Sequence, residues 1–379
     1  MDLKAYLAPP DFKLKNQAKD SQRMSNFVDF YDSTPIRSLE SYEIFILGVP
    51  EGRNALGNKD CSLAPEEIRK SFYCLFSRDW SFSVLDLGNL KLGETFQDTY
   101  YALTDISAYF FRLNKVLIIF GGGHDLIMPI FKGHSLLGTP LNFASVDACL
   151  DFQDHESSNS KSFLSSMVSS SNSLLAQYSL FGYQSYFCPQ KEIELLNQMH
   201  FNILRLGVVN EDVRELEPYI RAINHISVDL CCLKMSESPG NPYSGPNGIT
   251  AESICSIMRY AGMSSSIKSL LLSELNPFLD VHNQSAQIYA QSLWYFLIGF
   301  NLRTSDSLFL EKDKFLIYYV SSNLNELIFY KSKLSSRWWV NFSRKREVSH
   351  KSFFPCSYTD YKNAVEGILS ERLLKYLKL

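Results

Sequence analysis

Six short segments, residues 43–49, 115–120, 141–147, 203–209, 223–231 and 269–274, are rich in Val, Ile, Leu and Phe and lack regular polar alternation. A strand that is apolar on both faces must be covered on both, as in a parallel sheet flanked by helices. Between these runs lie stretches with helical spacing of apolar residues: 65–76, 98–113, 191–199, 251–261 and 285–302. Pro65 suits the first turn of its helix, and Thr250 suits an N-cap. Strand and helix in alternation predict a three-layer α/β/α sandwich around a mainly parallel sheet.

The chain has the material for such a core, since 45% of its 379 residues are hydrophobic. Its 37 Lys and Arg against 40 Asp and Glu give a net charge of −3. That balance excludes a basic nucleic-acid footprint and a polybasic membrane surface. No apolar run approaches the roughly 18 residues of a membrane span, and 294–300 is far too short. The opening Met-Asp-Leu-Lys-Ala-Tyr lacks the apolar core of a signal peptide, so a cytoplasmic protein is expected. The eight cysteines are scattered without a C-x-x-C pair, as expected of reduced thiols.

Two regions depart from the alternating pattern. Residues 157–173 hold ten serines and predict a mobile surface loop. Beyond residue 305, segments 315–320, 326–330 and 337–342 predict a small antiparallel meander, followed by a helix over 358–377 capped by Ser357. The expected division is an N-terminal segment (1–40), a main α/β domain (41–305) and a C-terminal antiparallel extension packed on it (306–379).

The predicted strands end in chemistry-bearing residues: Gly121-Gly122-Gly123-His124-Asp125, Asp147-Ala148-Cys149-Leu150-Asp151, Ser227-Val228-Asp229-Leu230-Cys231 and Glu274-Leu275-Asn276-Pro277. Ligands of parallel sheets bind beyond the carboxyl ends of strands, so these four ends would converge on one crevice. Residues two apart on a strand share a face, which lets Asp147 and Cys149, and Asp229 and Cys231, address one site. Asp151 lies about 13 Å beyond Asp147 in extended chain and joins them only if the backbone curls over after Cys149. Each motif has a plain alternative. His124 can cap or pack, the glycines can cradle phosphate although no G-K-[ST] follows, and Asp125, Asp154, His155 and Glu156 suit a solvated loop. Cys149 and Cys231 can be inert packing or part of a mixed hard–soft metal site. Cys232 and the stripe Trp294, Tyr295, Phe296 and Phe300 suit a core, and Arg337, Trp338 and Trp339 suit tail packing or an interface.

The ordered series G-G-G-H-D, D-x-C-x-D, S-x-D-x-C, E-x-N-P resembles the ureohydrolases, the family of arginase, agmatinase and formimidoylglutamase. Gly48-Val49-Pro50-Glu51, Ala64-Pro65-Glu66-Glu67-Ile68-Arg69, Asp86-Leu87-Gly88-Asn89, Ser238-Pro239-Gly240 and Pro246-Asn247-Gly248 fit the same pattern. The similarity spans about residues 40–303. Tyr183-Gln184-Ser185-Tyr186, Arg337-Trp338-Trp339 and Pro355-Cys356-Ser357-Tyr358 point to the longer, formimidoylglutamase-like branch. The resemblance implies an arginase-like fold and two manganese ions bridged by hydroxide. One ion would keep its full set, His124, Asp147, Asp151 and Asp229. The ligands private to the other would be replaced by Cys149 and Cys231, and thiolate suits zinc, iron or copper(I) better than manganese. One manganese ion is therefore expected. The family's histidine acid/base downstream of Asp151 has no evident counterpart.

Glu274, by resemblance, holds the cationic carbon unit of a linear amidine, and Asp151 ligates metal and relays a proton. Hydrolysis of an amidine C–N bond, with N-formimidoyl-L-glutamate as the small-molecule substrate, is the implied activity. The alternative is a catalytically degenerate ureohydrolase-like protein that binds a ligand or partner. A homo-oligomer is a further expectation from the family.

Overall fold

The computed structural model describes residues 2–10, 21–31, 38–153, 159–170, 173–304, 312–321, 326–342 and 353–378. Ten strands of the described residues form one sheet: β1 (Leu7–Ala8), β2 (Asp29–Phe30), β3 (Ile44–Gly48), β4 (Val84–Leu90), β5 (Val116–Phe120), β6 (Leu141–Val146), β7 (Leu175–Tyr183), β8 (Asn202–Arg205), β9 (His225–Asp229) and β10 (Ser269–Ser273). Their order is β1-β4-β3-β5-β10-β9-β6-β7-β8, with β2 also on β4. Every pairing is parallel except β1 with β4. The four strands that end in the motif residues, β5, β10, β9 and β6, are adjacent.

Burial on both faces is visible in the alternation itself. Ile44, Ile46, Val116, Ile118, Leu270 and Leu272 enter one apolar core, and their neighbours Phe45, Leu47, Leu117, Ile119 and Leu271 enter the other. Helices cover both faces: α1 (Ala64–Tyr73), α2 (Phe96–Arg112), α3 (Ile127–Ser135), α4 (Phe163–Ser169), α5 (Gln190–Gln198), α6 (Ala251–Met263) and α7 (Gln284–Asn301). Pro65 stands in the first turn of α1, and the Thr250 hydroxyl accepts the Ser253 N–H at the start of α6. Phe296 is fully buried in one core, while Trp294 and Phe300 pack on its edge and Tyr295 is exposed. No helix of the described residues is long and apolar enough to cross a membrane.

Strands β1, β2, β4 and β7 and helices α3 and α4 add to the expected pattern. The run 203–209 is strand only to Arg205 and then turns into a helix, Leu206–Glu211. Periodicity alone does not separate strand from helix in so short an apolar run. Of the added strands, β4 carries Asp86 and Asn89, which look wrong for a buried strand. The answer lies in α1: Arg69, itself fully buried, donates from Nε and Nη2 to the two Asp86 carboxylate oxygens at 2.8 and 3.0 Å. It also donates to Asn89 Oδ1 at 2.6 Å and to the Gly88 carbonyl at 2.8 Å, while the Tyr73 hydroxyl donates to Asp86.

Past the main sheet, β11 (Phe315–Ser321), β12 (Glu326–Ser332), β13 (Trp338–Phe342) and β14 (Phe353–Cys356) form an antiparallel sheet in that order. Two helices follow, α8 (Tyr358–Val365) and α9 (Glu371–Lys378), where one was expected. Ser357 does cap the first, in a reciprocal capping box with Asp360. Trp338 and Trp339 pack on the main body: Arg221 donates to the Trp338 carbonyl at 2.7 Å and lies 4.4 Å from the Trp339 ring centroid.

Below the sheet's opposite end, His225 Nε2 meets His134 Nδ1 at 2.8 Å, and its Nδ1 meets Ser269 Oγ at 2.7 Å. Burial lowers the proton affinity of both imidazoles below the ordinary value of 6.5. The unfolded chain therefore binds protons first as pH falls through about 6.5, and stability is lost in that direction. We expect the thermal midpoint to fall more steeply between pH 7 and 5 in the native protein than in a His134→Leu/His225→Leu variant. Arg69→Met, which strands a buried Asp86, is expected to cost about 3–5 kcal/mol in a denaturant titration.

Candidate metal centre

The loop after β5 makes the site possible. Gly121 and Gly122 take positive φ values of 84° and 74°, and a Cβ on Gly122 would lie 2.6 Å from the Glu51 carbonyl oxygen. This tight passage leads His124 into a turn under the sheet's carboxyl end, with its ring fully buried. His124 Nε2 lies 2.9 Å from Ser227 Oγ, whose hydroxyl donates to Ser145 Oγ at 3.0 Å. With the serine proton so committed, Nε2 donates to Ser227, and Nδ1 faces the acidic side; burial lowers the ring's proton affinity, but Asp147 and Asp151 outweigh it and hold it well above the ordinary imidazole value, so a bound cation would replace the Nδ1 proton.

Three carboxylates face Nδ1. Asp147 Oδ2 and Asp151 Oδ2 each lie 3.1 Å from Nδ1, and Asp229 Oδ2 lies 3.6 Å away. One donor atom from each of the four residues falls within 4.8 Å of the others. Asp147 and Asp229 are oriented by their own loops: their Oδ1 atoms accept the N–H of Cys149 and of Cys231, each at 2.8 Å. Asp151 arrives by the curl that the spacing demanded, with φ at +48°.

Asp147 Oδ2, Asp151 Oδ1 and Asp229 Oδ2 are buried and accept no hydrogen bond. Burial, and then the Asp147 charge, push the Asp151 carboxyl up to about 7 and also raise Asp229. Buried carboxylate oxygens without donors are costly, and a cation is what satisfies them. All-oxygen donors plus one imidazole suit a hard divalent ion such as manganese. The residues therefore fit the metal that the resemblance implies.

The two cysteines lie beside this cluster. The Cys231 thiol donates to Asp147 Oδ1 at 3.4 Å. Burial, reinforced by the Asp147 charge, pushes both thiols up, so they are neutral donors. Cys232 is core, and all eight cysteines are free. Glu274, just past β10 with φ at +64°, is buried. Its Oε1 accepts the His124 N–H at 2.9 Å, and its Oε2 accepts from Asn58 Nδ2 at 2.8 Å. Burial and the charge of Asp229 push its carboxyl up to about 8. Asn58 also accepts from Asn276 Nδ2 at 2.9 Å, which ties E-x-N-P to the opening loop.

Some site-facing groups were not anticipated. Asp125 is no solvated residue: it is buried, accepts from the Tyr100 hydroxyl and is pushed up by burial to about 6. Asp154, His155 and Glu156 lie outside the described residues. The serine-rich stretch, expected as a mobile loop, is packed over 159–170: Ser160 and Ser162 are buried, and α4 buries Phe163, Leu164 and Met167. The Phe163 ring meets His124 edge-on, with centroids 4.8 Å apart. The same stretch places the Lys161 ammonium 4.8 Å from the centroid of the Tyr243 ring. The Lys161 backbone N–H donates to Asn159 Oδ1 at 2.8 Å, and its carbonyl accepts the Gln153 N–H at 3.3 Å. Asn58 and Lys161 stand in no spacing pattern that the sequence offers, but Phe163, Leu164 and Met167 mark one face of a helix.

Comparison with known proteins gives the family and the fold. The profile of the Arginase family matches residues 42–299. The chain is 22% identical to formimidoylglutamase of Macrococcus caseolyticus, over 68% of this chain and 85% of that protein. It is 21% identical to formimidoylglutamase of Bacillus subtilis, over 75% and 94%. Among solved structures, Trypanosoma cruzi formiminoglutamase with Mn2+ superposes with a TM-score of 0.67 at 19% identity, covering 75% of this chain and all of that one. The Bacillus subtilis formimidoylglutamase structure gives 0.67 at 18% identity, over 76% and 94%. The chain belongs to the arginase family.

If the four-residue cluster holds a divalent ion, saturating Mn2+ should raise the thermal midpoint of the metal-stripped protein. A hundredfold excess over Kd is worth about 2.7 kcal/mol. Asp229→Asn should abolish that increment, whatever it does to the starting midpoint.

Proposed function

We propose that the protein hydrolyses the C–N bond of a linear amidine, N-formimidoyl-L-glutamate, with one divalent ion, manganese, held by His124, Asp147, Asp151 and Asp229. The observation that carries this reading is the set of three buried carboxylates that face His124 Nδ1, each with an oxygen that accepts no hydrogen bond. The substrate class is supported by the formimidoylglutamases among the relatives, and manganese by the Mn2+ of the Trypanosoma cruzi protein. The ion, when bound, supplies Lewis acidity that makes water a usable nucleophile near neutral pH.

This chain's residues supply the rest. Each Glu274 oxygen is fixed by one donor, His124 N–H or Asn58 Nδ2, and keeps a lone pair for a planar amidinium. Charge-assisted hydrogen bonds of that kind are strong and directional, and burial strengthens them further. Asp151 combines a ligating oxygen with one that accepts no hydrogen bond, so it can take a proton from the attacking water and pass it on. Water adds to the amidine carbon, the bond to the glutamate nitrogen breaks, and that nitrogen takes a proton. The products are glutamate and formamide. The eight free thiols support a reducing compartment, the cytoplasm, as the place of action.

One observation favours a second reading, a binding protein without turnover: two neutral thiols stand where the resemblance expects metal ligands. Turnover decides between them. The Mn2+-loaded protein should release formamide from N-formimidoyl-L-glutamate. Glu274→Gln should lower kcat/KM by about 10²–10³-fold while metal still binds. Metal-loaded protein that turns over neither this substrate, arginine nor agmatine would leave only the binding role.

A further inference from the structure

Gln184, Tyr186 and Asn247 have no part in the chemistry above, yet they hold one another beside it. Gln184 follows β7, and its N–H donates at 2.9 Å to the carbonyl of Ala148, the residue between Asp147 and Cys149. Asn247 lies on the loop after β9, and the near end of that loop is tied to the E-x-N-P turn: Asn241 Nδ2 donates to the Glu274 carbonyl at 2.9 Å. At the far end, Gln184 Nε2 donates to the Asn247 carbonyl at 3.3 Å. The loop thus runs from Glu274 to Gln184. Asn247 Nδ2 donates to the Tyr186 hydroxyl at 3.3 Å, and that hydroxyl donates to Gln184 Oε1. The three bonds close a ring and settle which way each amide points. A side-chain amide has two N–H donors. Among the described residues, Gln184 Nε2 and Asn247 Nδ2 each spend one and keep one. Gln184 is only 4% exposed, so a donor left unpaired there is costly until a ligand accepts it. Tyr186 and Asn247 are exposed, so a solute can reach the ring.

We propose that Gln184 and Asn247, oriented by Tyr186, form the subsite that takes the distal carboxylate of the amidine substrate. The inference deepens the hydrolase reading above and rests on it. Reach supports it. Neighbouring strands lie about 4.8 Å apart, so the end of β7 stands about 5 Å from β6, which leads to Asp147, and about 10 Å from β9, which ends in Asp229. Along a glutamate skeleton, the side-chain carboxylate lies roughly 6 Å from an amidine carbon on the α-nitrogen. Ligand chemistry supports it too. Two spare N–H donors suit the two oxygens of a carboxylate, and a charged acceptor strengthens both bonds. An aliphatic tail would leave the Gln184 donor buried and unpaired, which is how such a site rejects an analogue that lacks the acceptor.

Paired substrates test the proposal on the Mn2+-loaded full chain: N-formimidoyl-L-glutamate, and N-formimidoyl-L-norvaline, which carries a methyl group in place of the distal carboxylate. The native protein should favour the first by about 10–100-fold in kcat/KM. Asn247→Ala, at an exposed position, should bring that ratio close to one, chiefly through the KM of the glutamate compound. Tyr186→Phe, which frees both amides to turn, should lower the ratio in part and again through KM. Asn247→Asp sets an anion in the subsite and should reverse the preference. A ratio that is near one in the native protein, or that neither Asn247 variant changes, overturns the subsite and leaves the hydrolase reading standing. Should the loaded protein turn over neither compound, the hydrolase reading falls, and calorimetry with L-glutamate decides the subsite. Binding by the native protein that Asn247→Asp abolishes supports it, and no binding, or equal binding by both, overturns it.

Discussion

Three aspartates, almost fully buried, are held close together around one imidazole. Like charges so placed repel, and the interior screens them poorly. The fold brings them together because Asp147 and Asp151 follow β6, Asp229 ends β9, and β6 and β9 are neighbours in a parallel sheet. A rigid sheet can impose a juxtaposition that the side chains alone would refuse. It also leaves the cluster waiting for positive charge. The raised carboxyls of Asp151, Asp229 and Glu274 are the electrostatic signature of that wait.

The scaffold around the cluster has the same logic one layer out. Ser227 and Ser145 fix the His124 ring through Nε2, and the Cys149 and Cys231 amides settle which oxygen of each aspartate is left. Asn58 binds Glu274 and Asn276 together, and Arg69 secures the strand that follows α1 through Asp86. Motifs distant from the metal thus share one function, holding loops that would otherwise move against one another. A site of this kind tolerates little play, because small displacements of its groups cost heavily in rate.

Much of this was legible from the chain. Strands buried on both faces announce themselves by apolar runs, and the ordered motifs mark which strand ends matter. What stayed hidden was hidden for physical reasons. Asp86 reads as a strand breaker until Arg69 is seen beside it, and no local pattern links the two. Asp151 joins the cluster through a left-handed residue, a conformation that side-chain spacing does not encode. The segment 159–170 was masked by its serines, which suggest a solvated loop, although its apolar residues are spaced for one buried helical face. The long helix expected over 358–377 gives way near Gly367, whose positive φ of 81° turns the chain between α8 and α9.

The two cysteines shape one side of this centre. Burial and the Asp147 charge keep both thiols protonated, and the Cys231 thiol donates to Asp147 at 3.4 Å. Neutral sulfur is a poor ligand for a hard ion, so the oxygens that want a cation are best served from the His124 side. There α4 packs Phe163 edge-on against the imidazole ring and holds it in place. The segment that closes this side comes from the stretch least like an active site in composition.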